Sequence, residues 1–555
     1  LIEWDERVLE LDEHGKPVSI WDGVSFKEHP VTGKLVPDDA CRMEVYRYVK
    51  PRATKWPKSD FIVGNPPFIG NKRMRERLGD GYTEAVRSSF SKVSESIDFV
   101  MYWWAIAGSK VSSGHTRRLG FITTNSITQT FNRSVIETAK CRLVFAIPDH
   151  PWVDGVDGAD VRIAMTCADN GSGSALLQTV TDEGLISEGF GERWIEIASK
   201  NAMKINSDLS VGTDLDICKA LKSNSDIAIQ GVVPLGMGFR LTCADLPRLG
   251  VTGSSWPSAL KPYVIGRDLV QRPESKWIID FFGLSENEAK SQFPSLFNHL
   301  LVTVKPERDQ NRRATRRANW WLFGENAPAL RSASRDLDKV IATCRTAKHR
   351  IFTFVSAEEI LDTKVIGVAL ADAYYLGLLS SKFHVYWSLR IGGWLGVGND
   401  PTYNHSDCFG KFPFPADFPD PLKDKIRAEA EALDALRKRV LAEHEDLTLT
   451  KLYNVLEALK EGRALTEVER DIHDRGLVTL IRQHHDAIDV LVAEAYGWPA
   501  DLSDEQILTR LVALNKERAA EEAKGLIRWL RPEFQAPNYA APVTQTLDLG
   551  EAVPV

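Results

Sequence analysis

Residues 60–68 read Asp60-Phe61-Ile62-Val63-Gly64-Asn65-Pro66-Pro67-Phe68, an apolar run that ends abruptly in Asn-Pro-Pro-aromatic. With Pro near 5% of residues, Asn-Pro-Pro followed by Phe or Tyr is expected by chance in about 0.5% of chains this long. These residue types at this spacing suit holding an amino group attached to a planar ring. Such a nitrogen is a poor nucleophile because its lone pair is delocalised into the ring. Two acceptors that take its two hydrogens draw it toward tetrahedral geometry. An Asn65 side-chain oxygen and the Pro66 carbonyl are such a pair. Two consecutive prolines fix φ and remove two competing donors, and the adjacent Phe68 offers a ring face for a base turned out of its stack. The arrangement orients and polarises a nucleophile without needing a strong base. The same residues also suit an ordinary strand-to-loop turn.

The surrounding elements decide between these readings. In the first ~200 residues short apolar runs alternate with helical stretches. Residues 61–64, 119–122, 142–147 and 161–167 are candidate strands, and a helix is expected near 98–111. Continuous apolar runs separated by helices predict an α/β fold with a parallel sheet covered on both faces, whose ligands sit at the carboxyl ends of the strands. From 206 to 418 Gly, Pro and aromatic clusters recur and strands look short, which predicts a separate α+β domain ending near Phe412-Pro413-Phe414-Pro415. Residues 419–535 read as a helical region: Ile426, Leu433, Leu436 and Val440 share one helical face, and Ser503 with Gln506 forms a capping box. Residues 536–555 read as an extended tail.

The 555 residues predict two to four domains. No segment approaches the ~20 apolar residues of a membrane span, and the default expectation is a cytoplasmic protein. Seven scattered cysteines form no Cys-x-x-Cys pair, which argues against zinc spacings and a disulfide framework. His405, near Asn399 and Asp400, has no second His at ligand spacing, so no metal site is expected. The net charge of −7 repels DNA over the whole chain, so a nucleic-acid surface has to be local.

These residues resemble the gamma-type adenine-N6 DNA methyltransferases, specifically the large bacterial enzymes joined to target-recognition domains in restriction–modification and phage-defence systems. The resemblance is carried by residues 60–74 (DFIVGNPPFIGNKRM), 98–104 (DFVMYWW), 121–126 (FITTNS) and 149–153 (DHPWV). Farther on it is carried by 261–269 (KPYVIGRDL), 305–324 (KPERDQNRRATRRANWWLFG) and 396–403 (GVGNDPTY). It implies a partial Rossmann-like methyltransferase sheet in residues 1–205, a target-recognition domain in 206–418, and transfer of a methyl group from S-adenosylmethionine to adenine N6 in double-stranded DNA. Asn65 and the Pro66 carbonyl would hold the amino group, Phe68 would stack on the flipped base, and Asn65, Pro67 and Asp98 would lie near the cofactor. An Asp98 that merely caps the following helix is the alternative.

The family binds its cofactor through a Gly-rich loop and an acidic residue that precede the Asn-Pro-Pro strand. Residues 1–64 contain no strand, Gly-x-Gly and helix in order, and the cluster at Gly392–Gly398 lies in the other domain. The simplest expectation is that this part of the methyltransferase domain lies outside the chain. A catalytically incomplete DNA-recognition fragment, and an amino-methyltransferase for another base or planar nitrogen, are the competing readings. A nuclease domain or subunit would also lie outside it.

Residues 305–350 hold twelve Lys or Arg against five Asp or Glu. Lys305, Arg308, Arg312 and Arg316 recur at helical spacing with Arg313 and Arg317 alongside, which predicts one helix with a basic stripe that tracks phosphates. A solvated face paired to Glu307 and Asp309 is the alternative. Arg267, Arg272, Lys348 and Arg350 are weaker candidates.

Overall fold

The computed structural model describes residues 1–555 apart from 22–24, 29–34, 39, 153–160, 186–192, 253–255, 312, 396–399, 417 and 538–555. The chain divides into two compact units, Leu1–Asp214 and Leu215–Val555.

In the first unit the residues before the Asn-Pro-Pro turn form a nested antiparallel ribbon. Ile2–Glu3 pairs with Arg52–Ala53, Glu6–Leu9 with Tyr46–Val49, Ser19–Trp21 with Arg42–Glu44, and Phe26–Glu28 with Leu35–Pro37. An edge-to-face cluster of Trp4, Tyr48 and Tyr82 anchors its base. The helix Asp80–Ser89 approaches so closely that a Cβ on Gly81 would lie 1.7 Å from the Tyr46 carbonyl oxygen, so only glycine fits there.

A six-stranded sheet follows, in the spatial order Arg193–Ala202, Ala175–Leu185, Arg142–Trp152, Val161–Asp169, Arg118–Thr124, Phe61–Gly64. The four expected strands are all present. Phe61–Gly64 runs parallel to Arg118–Thr124, but Val161–Asp169 runs antiparallel to both its neighbours, so the sheet is mixed rather than parallel. The helices Val100–Ser112 and Thr130–Ala139 contribute to a core built on the face that carries Ile62, Leu119, Phe121 and Ala164. Trp104, fully buried, donates to Thr166 Oγ1 at 3.3 Å across this face. Coverage of both faces is not observed among the described residues. On the opposite face Phe61 is 58% and Val63 82% exposed. The run of apolar residues in the sequence signals a strand, but it carries no information on whether anything covers the second face.

The second unit holds two four-stranded sheets. One has the order Ala228–Gln230, Val365–Val368, Lys339–Cys344, Phe352–Ser356. The other has Arg240–Thr242, Lys276–Ile279, Leu260–Val264, Ile360–Leu361. The helices Asp420–Glu443, Leu449–Lys460, Val478–Tyr496 and Asp504–Ala523 pack on the same core as Phe352, Leu379, Trp387, Phe412 and Phe414, so residues on both sides of 418/419 share one interior. Ile426, Leu433, Leu436 and Val440 are all buried in it, and Ser503 and Gln506 form the expected capping box. After Pro532 a short helical turn, Pro532–Gln535, precedes the expected tail. Residues 538–555 lie outside the described residues. No helix among the described residues is long and apolar enough to cross a membrane.

This core buries imidazoles. His485 Nε2 lies 2.7 Å from Tyr453 OH and 3.1 Å from Arg437 Nη2, and His384 Nε2 lies 2.9 Å from Tyr403 OH. Burial pushes the His384 pKa down to about 3, and burial with the Arg437 charge pushes His485 well below its ordinary value. As pH falls below about 6.5 the unfolded chain binds protons that these rings refuse, and each buried His costs about 1.4 kcal/mol per pH unit. Asp489 acts in the opposite sense. Burial raises its pKa to about 6, so below that value the folded state gains a proton first and is stabilised. His349 and His405 are likewise held below their ordinary value by burial and Glu359 above its own, so imidazoles outnumber carboxyls and the free energy of unfolding by urea is expected to fall as pH drops from 6 to 4. Constant stability over that range would contradict the assignment of neutral imidazoles.

Candidate active site

Asn65 begins where the Phe61–Gly64 strand ends, at the carboxyl edge of the sheet. Asn65 and Pro67 are exposed, Pro66 is buried and Phe68 is half-buried. Among the described residues neither the Asn65 side chain nor the Pro66 carbonyl is engaged by another protein group. Both acceptors are therefore available.

The loop that follows is fixed from behind. Ile69 N donates to the Pro67 carbonyl at 3.1 Å, and Phe99 N donates to the Ile69 carbonyl at 2.9 Å. Asn71 N donates to Asp98 Oδ1 at 2.8 Å, while Asn71 Oδ1 accepts from Arg87 Nη2 at 3.0 Å. Asp98 Oδ2 accepts from Ser126 Oγ at 2.6 Å and from Asn132 Nδ2 at 2.8 Å, and Asp98 N donates to Asn132 Oδ1 at 2.9 Å. Asp98 is 8% exposed. Its carboxylate thus joins the Asn-Pro-Pro loop, the turn after Arg118–Thr124 and the helix Thr130–Ala139. It does not cap the helix that follows it, whose first turn has no side-chain cap.

Replacing Asp98 with Ala leaves three donors without their acceptor. Hydrogen bonds to a charged group contribute about 1.5–3 kcal/mol, so Asp98→Ala is expected to lower the unfolding free energy of the first unit by about 2–3 kcal/mol. Denaturant titration checks this; a change below about 0.5 kcal/mol would remove Asp98 from the role of tie.

A second cluster stands at the same end of the sheet. Asp149, in the left-handed region at φ +53°, accepts from Asn125 Nδ2 at 3.0 Å and from Arg162 Nε at 3.1 Å. Arg162 Nη1 donates to both Glu183 oxygens at 2.7 and 2.8 Å. Burial works against the Arg162 charge, but Asp149 and Glu183 outweigh it and hold the pKa above its ordinary value. The sequence places Asn125 and Asp149 inside motifs but gives neither a role, and it does not mark Ser126, Asn132 and Arg162 as partners. The available signal is the polar Thr123-Thr124-Asn125-Ser126 at a strand end, where side chains of an α/β sheet face a ligand.

The features that the resemblance implies for S-adenosylmethionine are present only in part among the described residues. Asp98 Oδ1 accepts from Asn71 and Oδ2 from Ser126 and Asn132, so the carboxylate is held by the protein while Oδ1 keeps a further acceptor position. Phe61–Gly64 is the last strand of its sheet, and among the described residues no glycine-rich loop follows a strand at this end. Gly396 and Gly398 lie outside the described residues. Asn65 and Pro67 remain exposed at the strand end.

The basic region is not one helix. Lys305–Asp309 and Ala314–Ala318 are separate short helices, with Arg313 extended between them. Arg308 is 2% exposed: Nε donates to the Leu235 carbonyl at 2.8 Å, and Nη2 to the Pro234 and Leu322 carbonyls at 2.9 and 2.7 Å. It is an interior residue, removed from any phosphate stripe. Lys305 pairs with Asp309 at 2.7 Å and Arg316 with Glu325 at 3.3 Å. Arg313 and Arg317 are exposed, with one Arg317 nitrogen donating to the Asn311 carbonyl at 2.6 Å. Arg312 lies outside the described residues. Of the weaker candidates, Arg350 is buried against the Pro401 carbonyl at 3.1 Å, Arg272 pairs with Glu445, Lys348 donates to Asn454 at 2.8 Å and Arg267 is exposed.

Comparison with known proteins places this geometry. The chain is 22% identical over 489 residues to DNA methyltransferase A of Bacillus subtilis (strain 168), across 82% of this chain and 48% of that protein. The chain thus spans about half the length of that curated relative. It superposes on the solved structure of the type IIL restriction-modification enzyme MmeI in complex with DNA with a TM-score of 0.64, at 18% identity, over 83% of this chain and 57% of that one. That likeness is one of fold. Residues 29–172 match the family model described as MmeI, DNA-methyltransferase domain. They contain the Asn-Pro-Pro strand, the Asp98 tie and the Asn125–Asp149 pair, so the stretch that holds the candidate site is similar to that domain, in line with the resemblance read from the sequence.

Proposed function

We propose that this chain holds the target base and reads the DNA in a site-specific methyltransferase that transfers a methyl group from S-adenosylmethionine to adenine N6 in double-stranded DNA. The setting is a cytoplasmic restriction–modification or phage-defence system. The observation that carries this reading is the pair of free acceptors, Asn65 Oδ1 and the Pro66 carbonyl, on a loop locked by Asp98. An adenine turned out of the duplex presents two N–H groups to these oxygens. Their preorganised dipoles favour the pyramidal nitrogen that attacks a methyl group, without reorganisation at the moment of reaction. Phe68 supplies an apolar face for the base.

Methyl-labelling of unmethylated duplex DNA by the protein isolated from its own cells, followed by nucleoside mass spectrometry, tests the reading. N6-methyladenine is the expected product. N4-methylcytosine as the labelled nucleoside would replace adenine by cytosine as the substrate while leaving the amino-group chemistry in place.

In this reading Arg313, Arg316 and Arg317, with Lys305, contribute phosphate contacts, and Arg312 is proposed from its sequence position. Arg313→Ala with Arg317→Ala is expected to weaken DNA binding uniformly across sequences and to reduce the slope of log affinity against log salt by about two. An unchanged slope in fluorescence-anisotropy titrations would leave this segment a solvated face.

A further inference from the structure

The strand Arg142–Trp152 carries one residue more than its neighbour between two paired positions. Ile147 pairs with Met165 and His150 with Ile163, so Pro148 and Asp149 together face the single Ala164. Asp149 takes up this bulge in the left-handed region, at φ +53°. Bulges re-aim side chains and are common beside active sites, and a non-glycine residue stays in that region only where its surroundings hold it. Asp149 is held from two sides. Asn125 Oδ1 accepts from Asp149 N at 3.0 Å while Asn125 Nδ2 donates to Asp149 Oδ1 at 3.0 Å. Arg162, on the strand between the other two, commits all five of its N–H donors. Nε and Nη2 donate to the Asp149 carboxylate at 3.1 Å each, Nη2 also donates to the Asp149 carbonyl, and Nη1 donates to both Glu183 oxygens. The guanidinium keeps no donor for a phosphate or a base, so its influence on a substrate passes through Asp149 and Asn125.

Asn125 is where this network reaches the candidate base site. Gly64 pairs with Phe121 in the parallel register, so the turn at Asn125 and the Asn-Pro-Pro loop leave neighbouring strands at the same edge of the sheet. The next residue, Ser126, donates to Asp98, and Asp98 accepts from Asn71 of the loop. Residues 125 and 126 are therefore clamped between two networks. Asp98 fixes them to the loop, and Arg162, through Asp149, fixes them to the strands on the other side. We propose that Arg162 is a positioning residue for methyl transfer: acting through Asp149 and Asn125, it sets the turn at 125–126 against Asn65, so that a flipped base meets Asn65 Oδ1 and the Pro66 carbonyl in register. Glu183 holds the guanidinium from behind. The base enters this site after the duplex is bound, so loss of Arg162 acts on base capture and on kcat and leaves duplex affinity in place. This inference rests on the methyltransferase reading above.

The test compares wild type, Arg162→Met, Arg162→Lys and Glu183→Gln, each isolated from the cells that encode the chain, on a duplex bearing the sequence methylated in those cells. kcat is referred to sites titrated by DNA binding, so a loss of folded protein does not move it. Arg162→Met is expected to lower kcat about tenfold to a hundredfold, the cost of misplacing a bound group by up to ~1 Å, with KM and Kd for the duplex within about twofold of wild type. With 2-aminopurine in place of the target adenine, the fluorescence rise that reports an unstacked base is expected to shrink about threefold or more. Arg162→Lys keeps the charge without the planar fork and is expected to lie between wild type and Arg162→Met. Should Arg162→Met fold poorly, Glu183→Gln decides: it preserves shape, and it is expected to lower kcat about threefold or more at an unchanged Tm. A kcat within about twofold of wild type in the folded variant, a loss confined to KM and Kd, or an undiminished 2-aminopurine signal would each overturn the inference and leave the methyltransferase reading standing. A wild-type protein that methylates no base would remove that reading and the inference with it. N4-methylcytosine as product, with the same fall in kcat for Arg162→Met, would keep the positioning role and remove the adenine reading.

Discussion

Asn65→Ala is expected to lower methyl transfer by about 10²–10³-fold, the loss seen when one preorganised polar group is removed from the reacting centre, while DNA affinity and thermal stability stay within experimental error. The two halves of this expectation come from the same fact. The Asn65 side chain is exposed and engages no described protein group, so its removal costs the fold nothing. All of its effect has to appear in the reaction. Asn65→Asp separates acceptor from donor. It keeps oxygens able to receive an N–H and discards the amide NH2, so it is expected to retain more activity than Asn65→Ala. Equal loss in both variants would mean that the Nδ2 donor, and not the acceptor, is what the reaction needs. The assay is label incorporation by the assembly isolated from its own cells, with binding followed separately by anisotropy.

Arg308→Ala is expected to destabilise the second unit by about 3–5 kcal/mol, the range for truncating a large buried side chain that satisfies buried polar groups. Three carbonyls, of Pro234, Leu235 and Leu322, lose their donor at once. Leu235 itself sits in the left-handed region at φ +50°, a conformation that costs a non-glycine residue about 1 kcal/mol or more and persists only when its surroundings hold it. Arg308 is part of what holds it. Arg308→Lys retains a charge but a single nitrogen in place of a planar fork, and is expected to recover only part of the loss. Denaturant unfolding measures both. The signature that distinguishes Arg308 from its neighbours is that DNA binding falls through loss of folded protein. A DNA affinity lowered tenfold in a variant of unchanged stability would return Arg308 to the phosphate-contact set.

What is legible in the sequence follows from which interactions are local. The strand at 61–64 and its Asn-Pro-Pro stop are readable because an apolar strand and a rigid turn are written in consecutive residues. The helix positions of Ile426, Leu433, Leu436 and Val440 are readable for the same reason: one periodicity, one buried face. The basic run misleads because its spacing stays helical where the backbone does not. Gln310 closes the first short helix, Arg313 is extended, and a register drawn across that break has no meaning. Nor can spacing reveal that Arg308 meets carbonyls more than seventy residues earlier in the chain. The Asp98 tie is invisible for a related reason. Its partners at 71, 126 and 132 come from three separate elements, so no local spacing reveals that this carboxylate ties them together. The ribbon of residues 1–53 leaves little trace because its strands run two to four residues each, too short to show an alternation of apolar and polar positions.

Long-read sequencing of DNA from the cells that encode this chain, with the wild-type gene and with Asn65→Ala, tests the central claim at whatever sequence the enzyme modifies. N6-methyladenine at one defined sequence in the wild-type DNA, absent from the Asn65→Ala DNA, is the expected result. The same adenine pattern in both strains would contradict it.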